Sequence, residues 1–106
     1  MRIGELRHRV TIQRLNRVPD GMGGYEEQWQ DVVSLWAKVE PLKGRERFVA
    51  QQAQSEVTHR ITTRYYSGIE PQMRVVYRNR NFDIEVVINV DEKNEWLELQ
   101  CVEVQE

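Results

Sequence analysis

The stretch NFDIEVVINV, residues 81–90, constrains the fold more than any other part of the chain. Its apolar and polar positions alternate, and side chains of a β-strand point to opposite faces with a period of two. Phe82, Ile84, Val86, Ile88 and Val90 therefore fall on one face, with Asp83, Glu85, Val87 and Asn89 on the other. β-Branched residues fill the run, which suits a pleated surface better than a helix. Asp91, Glu92, Lys93 and Asn94 follow, side chains that bond their own backbone in turns, and Leu97, Leu99 and Cys101 then alternate again. The expectation is an antiparallel hairpin with one buried face.

The same pattern recurs upstream in shorter pieces. Val57, His59, Ile61, Thr63 and Tyr65 share one face, Ser67 to Pro71 read as a turn, and Met73, Val75 and Tyr77 begin another strand that ends near Asn79 to Asn81. Before these come Val10 and Ile12, the loop Pro19 to Gly24, Tyr25 to Gln30, and the alternation Val33, Leu35, Ala37, Val39. Short strands at hairpin spacing predict a mainly β chain, a small antiparallel barrel or sandwich of six to seven strands forming one domain over residues 1–106. Pro41 should stop a strand, because it lacks the N–H a ladder needs. Beyond Gly44, RERFVAQQAQSE contains good helix formers and neither Gly nor Pro, so one short helix is expected mid-chain. Its apolar stripe of Phe48, Val49, Ala50 and Ala53 is narrow. Such a stripe suits a cap over a barrel mouth or a contact with another subunit, not a core of its own.

Catalysis is not expected. His8 and His59 lack ligand partners at helical spacing and no CxxC occurs, so no metal or other cofactor is implied. Neither a nucleophile elbow nor a phosphate-binding glycine loop is present; GMGG reads as a hairpin tip. Cys101 stands alone within an alternating strand, as a small core residue does. No apolar run is long enough to cross a membrane as a helix and the first residues carry no export signal, so a cytoplasmic site of synthesis and no membrane partner are expected.

Charge is distributed unevenly although the net value is only −2. Residues 57–82 hold five arginines against Glu70, while residues 83–106 hold Lys93 against eight acids. Two outcomes are open: basic and acidic strands that neighbour each other in one barrel, or complementary patches on successive copies. The interleaving of Arg60, Arg64, Arg74, Arg78 and Arg80 with Tyr65, Tyr66 and Tyr77 also resembles a nucleic-acid-binding barrel, which is the alternative function. Trp36 alternates out of phase with Val33, Leu35, Ala37 and Val39, which marks it for an outward contact.

Taken in order, IGELRHRVTIQR, the DGMGG loop, WAKVEPLKGRE, THRITTRY, FDIEVVINVDEKNEWLEL and the terminal Cys101 resemble the phage head-tail joining family, also called head-tail adaptor, head-completion or head-closure stopper proteins. The resemblance covers nearly the whole chain. It implies a small antiparallel β-barrel with one helix or long loop, a structural virion protein of the neck, made in the host cytoplasm, that assembles as a ring below the portal. That ring would match the twelve-fold portal or adaptor, seal packaged DNA in the head and offer a surface to the tail-completion protein. DNA would pass through the channel without being read. Candidate interface residues on this reading are Trp36, Lys43, Arg45, Glu46, Arg47, Phe48, Arg60, Arg64, Arg78 and Arg80. Asp20, Gly21, Met22, Gly23 and Gly24 form a candidate mobile loop. Similar proteins often carry Gly before the arginine at position 80, where this chain has Asn79, a residue that tolerates the left-handed turn.

Overall fold

The computed structural model describes residues 3–43, 48–49 and 56–104. A 3-10 turn at Ile3–Glu5 leads into strands β1 (His8–Pro19) and β2 (Tyr25–Pro41). A small ladder of β3 (Phe48–Val49) and β4 (Glu56–Val57) follows, then β5 (His59–Arg64), β6 (Arg74–Tyr77), β7 (Arg80–Asn89) and β8 (Trp96–Val104). Six strands close into an antiparallel barrel in the order β1-β2-β5-β8-β7-β6. Closure leaves the shared part of the sheet without an edge to pair with another chain.

Alternation accounts for the interior. Val10, Ile12, Ala37, Ile61, Val75, Phe82, Ile84, Leu97, Leu99 and Cys101 are buried in one cluster. One mouth is closed by Tyr66, Ile69 and Met73 from the β5–β6 connection. The β6–β7 hairpin turns on Arg78 and Asn79, both at positive φ (48° and 63°), as a two-residue turn matched to sheet twist requires. Asn79 thus takes the left-handed conformation expected of it.

Two bulges change the phase. Ile84 lies opposite Cys101 but Val86 lies opposite Gln100, so Glu85 is the extra residue of β7. Beyond it Val87 faces Leu99 and joins the core, while Val86 leaves the barrel interior and Ile88 is exposed. The expected face of Phe82, Ile84, Val86, Ile88 and Val90 therefore holds only as far as Ile84. Val86 instead packs with the buried Leu42 and Val57, which anchor the two ends of the segment between β2 and β5. Strand β2 does stop at Pro41. In the expected helix that follows, Phe48 and Val49 are extended and pair with Val57 and Glu56; residues 44–47 and 50–55 lie outside the described residues. A two-stranded ladder lets the segment satisfy backbone groups across itself while Val57 reaches its apolar contact.

The second bulge, at Val32, falls where β1 and β2 part from the rest of the sheet. Ile12 faces Val33 but Gln13 faces Asp31. Strand β6 covers β1 only from Thr11 to Gln13, and β5 covers β2 only from Ala37 to Pro41. Residues 14–19 and 25–30 therefore pair with each other alone and project as an arm of about 20 Å. The molecule is accordingly 49 Å long and 27 Å across.

Candidate functional site

Three surfaces combine exposed aromatic or charged groups with a defined geometry. The first is the tip of the arm. Asp20 Oδ1 accepts the backbone N–H groups of Met22 (2.7 Å) and Gly24 (3.1 Å), and Asp20 N donates to Gly24 O at 3.1 Å. Gly21 and Gly23 take φ values of 81° and 84°, which only glycine adopts without strain. These bonds give the tip a shape of its own and hold Met22 at its apex, 88% exposed. Arg17 lies over the ring of Tyr25 at 4.9 Å. At the root, Gln13 Nε2 donates to Asp31 Oδ1 (2.8 Å), Arg74 Nε donates to Gln13 Oε1 (2.8 Å), and the Arg74 guanidinium sits 4.1 Å from the ring centre of Trp29.

A second surface lies on the barrel wall. Arg9 is paired with Trp36 in β1–β2, and Arg64 with Trp96 in β5–β8. Arg9 stands over Trp36 at 5.5 Å and Arg64 over Trp96 at 5.1 Å. Because β2 and β5 are neighbours in register, the four residues form a row of alternating cation and ring across four strands. Trp36 is 54% exposed, as its phase required. Beside it, Leu6, Arg9, Ser34, Leu35, Trp36 and Arg64 line a shallow groove that has an apolar floor and no acidic side chain.

The third surface closes the mouth opposite the arm. Arg80 Nε and Nη2 donate to the two oxygens of Glu103 at 2.8 and 3.0 Å, and Nη2 lies 3.3 Å from His59 Nε2. Thr58 Oγ1 is 2.9 Å from His59 Nδ1 and accepts the Glu103 N–H at 2.8 Å. His59 and Arg80 both rest on the Phe82 ring, at 4.9 and 5.0 Å. The paired guanidinium holds the Glu103 carboxyl below the ordinary carboxylate range, and the same bonds raise Arg80. Nearby, the buried Cys101 thiol is pushed upward by desolvation first and by Glu85 and Asp83 second, so it carries no thiolate to react.

The Thr58 hydroxyl beside His59 Nδ1 is engaged within the barrel, accepting the Glu103 N–H and lying 3.5 Å from Cys101 O. Among the described residues no three His, Cys, Asp or Glu side chains converge as metal ligands, and no helix is long and apolar enough to cross a membrane. The family model described as phage head completion protein matches residues 1–104.

The chain belongs to the phage head completion protein family. It is 34% identical over 71 residues to head completion protein gp16 of Bacillus phage SPP1, a match covering 67% of this chain and 65% of that protein's length. Its fold is similar to the solution structure of protein SF1141 from Shigella flexneri 2a, with a TM-score of 0.78 and 30% identity over 100% of this chain and 99% of the other. A chain in the virion of a native gene transfer agent particle shares the fold at a TM-score of 0.64 and 24% identity, covering 93% of this chain and 96% of that one.

Within this head completion fold the candidate residues separate. Trp36 and Arg64 meet at the wall groove. Arg80 is held by Glu103 and Arg60 by Glu40, at 3.5 Å, so part of the charge split is resolved between strands of one barrel. Arg78 stands over Tyr77 at the β6–β7 turn. Lys43 is exposed at the start of the β2–β5 segment; Arg45, Glu46 and Arg47 lie outside the described residues, and of Phe48 only the backbone pairing is described. Asp20 to Gly24 form the tip. Sequence reasoning missed Arg9, Leu6 and Trp96 as partners of Trp36 and Arg64. The available signal was register: once β2 and β5 are neighbours, their outward positions fall in line.

Proposed function

We propose that this head completion protein assembles head-to-tail into a ring in the phage neck, below the portal, where it closes the DNA-filled head and presents the surface to which the tail joins. One observation carries the reading. Strand β2 begins in the arm and ends at the β2–β5 segment, so the two elements outside the barrel leave from opposite ends of a 49 Å molecule. A subunit with unlike ends is suited to heterologous contacts, which close into a ring when the rotation between copies allows it. The closed barrel wall supports the same reading, since it offers no sheet edge and leaves open strand edges only in the arm and the β3–β4 ladder. The segment bounded by Leu42 and Val57 is the element we assign to the channel side, and the portal or adaptor and the tail-completion protein are the partners expected above and below.

Electron microscopy of particles made with and without the protein tests this directly. The expected result is heads that lose their DNA and fail to take tails in its absence. Filled, tailed and infectious particles without it would refute the proposal. The row of Arg9, Trp36, Arg64 and Trp96 favours a second reading, a barrel that stacks nucleic-acid bases. Against that reading, the net charge is −2 and Arg60 and Arg80 are already paired with acids, which leaves little field to draw phosphates. Steeply salt-dependent DNA binding by the isolated protein would reverse the order of the two readings.

A further inference from the structure

We infer that the tip of the arm of one copy seats in the wall groove of the next, with Met22 on the apolar floor beside Trp36 and the acids of the tip against Arg9 and Arg64. The inference rests on the ring reading above and names the surfaces that would make it. Two features of the tip call for a receptor. The backbone at Met22 is held outward by a turn whose bonds are all internal, so on binding only the side chain, and not the loop, has to be ordered. The tip carries Asp20, Glu26 and Glu27 against a single basic residue, Arg17, which lies across the ladder from Glu27 and over the Tyr25 ring, so acids outnumber it three to one. The groove is the converse: an apolar floor of Leu6 and Leu35, an exposed tryptophan, two arginines and no acid. Tryptophan and arginine are the residue types that carry most binding energy where proteins meet.

A molecule cannot fill its own groove. About 35 Å of continuous strand separates Tyr25 from Trp36, and the paired β1 keeps that strand extended. The occupant is therefore another chain, and a knob and hole at different places on one subunit give a head-to-tail contact. A tip of this size buries much less than the roughly 1,000 Å² of a stable pair. Isolated copies should accordingly meet weakly, the contact becoming durable when many close together around a ring.

The test uses the full chain in particle assembly. Glu26→Arg with Glu27→Arg reverses the tip, and Arg9→Glu with Arg64→Glu reverses the groove. Each pair alone is expected to reduce the protein's content in purified particles by about tenfold or more, and all four changes together are expected to restore most of it, a rescue that misfolding of a variant would not produce. In particles, Met22→Cys and Ser34→Cys should be joined between copies by a short bismaleimide, with buried Cys101 silent. Failure of the rescue, or a ladder of linked copies obtained through other positions but not this pair, would overturn the contact while leaving the ring intact. Particles holding no multimer of the chain would instead overturn the ring, and the contact with it. Groove reversal that leaves incorporation unchanged but abolishes binding of a single-stranded DNA oligonucleotide would assign the groove to nucleic acid.

Discussion

Strands β1 and β2 live in two environments. From His8 to Ile12 and from Val33 to Pro41 they are staves of the barrel, and their inward residues Val10, Ile12 and Ala37 are almost wholly buried. From Gln13 to Pro19 and from Tyr25 to Val32 the same two strands contain no buried residue at all. The two strands stay paired on both sides of the bulge at Val32; what changes is whether a third strand stands beside the pair. A ladder alone does not stabilise a hairpin in water much, whereas a ladder with a buried face does. Barrel and arm should therefore divide the labour, stability residing in one and contact in the other.

The largest effect should come from the barrel. Phe82→Ala removes a fully buried ring from the interior and is expected to cost about 3–5 kcal/mol in urea unfolding, enough to unfold a marginal domain of this size. A loss below about 1 kcal/mol would mean that the barrel core is not where stability resides. Next comes Cys101→Ser, expected to cost about 1–3 kcal/mol by burying a hydroxyl in place of a thiol. The native thiol should resist modification until the barrel unfolds; rapid labelling would contradict its burial.

A smaller effect is expected at the mouth opposite the arm. Glu103 titrates below its unfolded value because Arg80 favours the charged form, so its contribution to stability is present above the ordinary carboxylate range and disappears as pH falls through the depressed folded value. Glu103→Gln should cost about 1 kcal/mol at neutral pH, allowing for the solvent that reaches both partners. The variant and the parent should converge in the acid limb of a pH–stability curve. A gap that persists unchanged at low pH would mean the pair acts by packing and not by charge.

The smallest change in stability belongs to the arm. Replacing residues 17–27 by Asn-Gly, a two-residue turn joining Asn16 to Gln28, should alter unfolding by less than about 0.5 kcal/mol, since nothing buried is removed. Assembly into particles should nonetheless be lost. A shortened arm that destabilises the barrel by several kcal/mol would erase the division between the two regions.

How much of this was legible in the sequence follows the same boundary. Alternation identified the inward residues of β5, β6 and β8 and of β7 as far as Ile84, because each of those strands is backed by a core along its length. It failed at Glu85, since a bulge is a property of the strand pair: nothing in EVVIN says that Val86 must face Gln100 instead of the interior. Of the arm, the hairpin tip at GMGG and the segment Tyr25 to Gln30 were legible, but not that the pair leaves the barrel, because two-sided exposure leaves polar and apolar residues with no face to prefer. Charge left two outcomes open for a related reason, since strand order decides between them: topology places Arg80 of the basic run beside Glu103 of the acidic run within one barrel, and Arg60 beside Glu40 of β2. Trp36 was correctly marked as outward by its phase, yet its cationic neighbours Arg9 and Arg64 come from strands the sequence alone does not order.

Strand β2 has a mechanical consequence. It is one unbroken length of backbone from the arm to the anchored segment beyond Pro41, and its hydrogen bonds to β5, like those of β1 to β6, run across its direction. A pull applied at the tip draws β1 and β2 together and loads the bonds to β5 and β6 side by side, in shear, so that they must yield together; a pull across the sheet would open them one after another. If copies hold one another by their arms, pressure from packed DNA that spreads the ring is borne along the direction in which each subunit is hardest to tear.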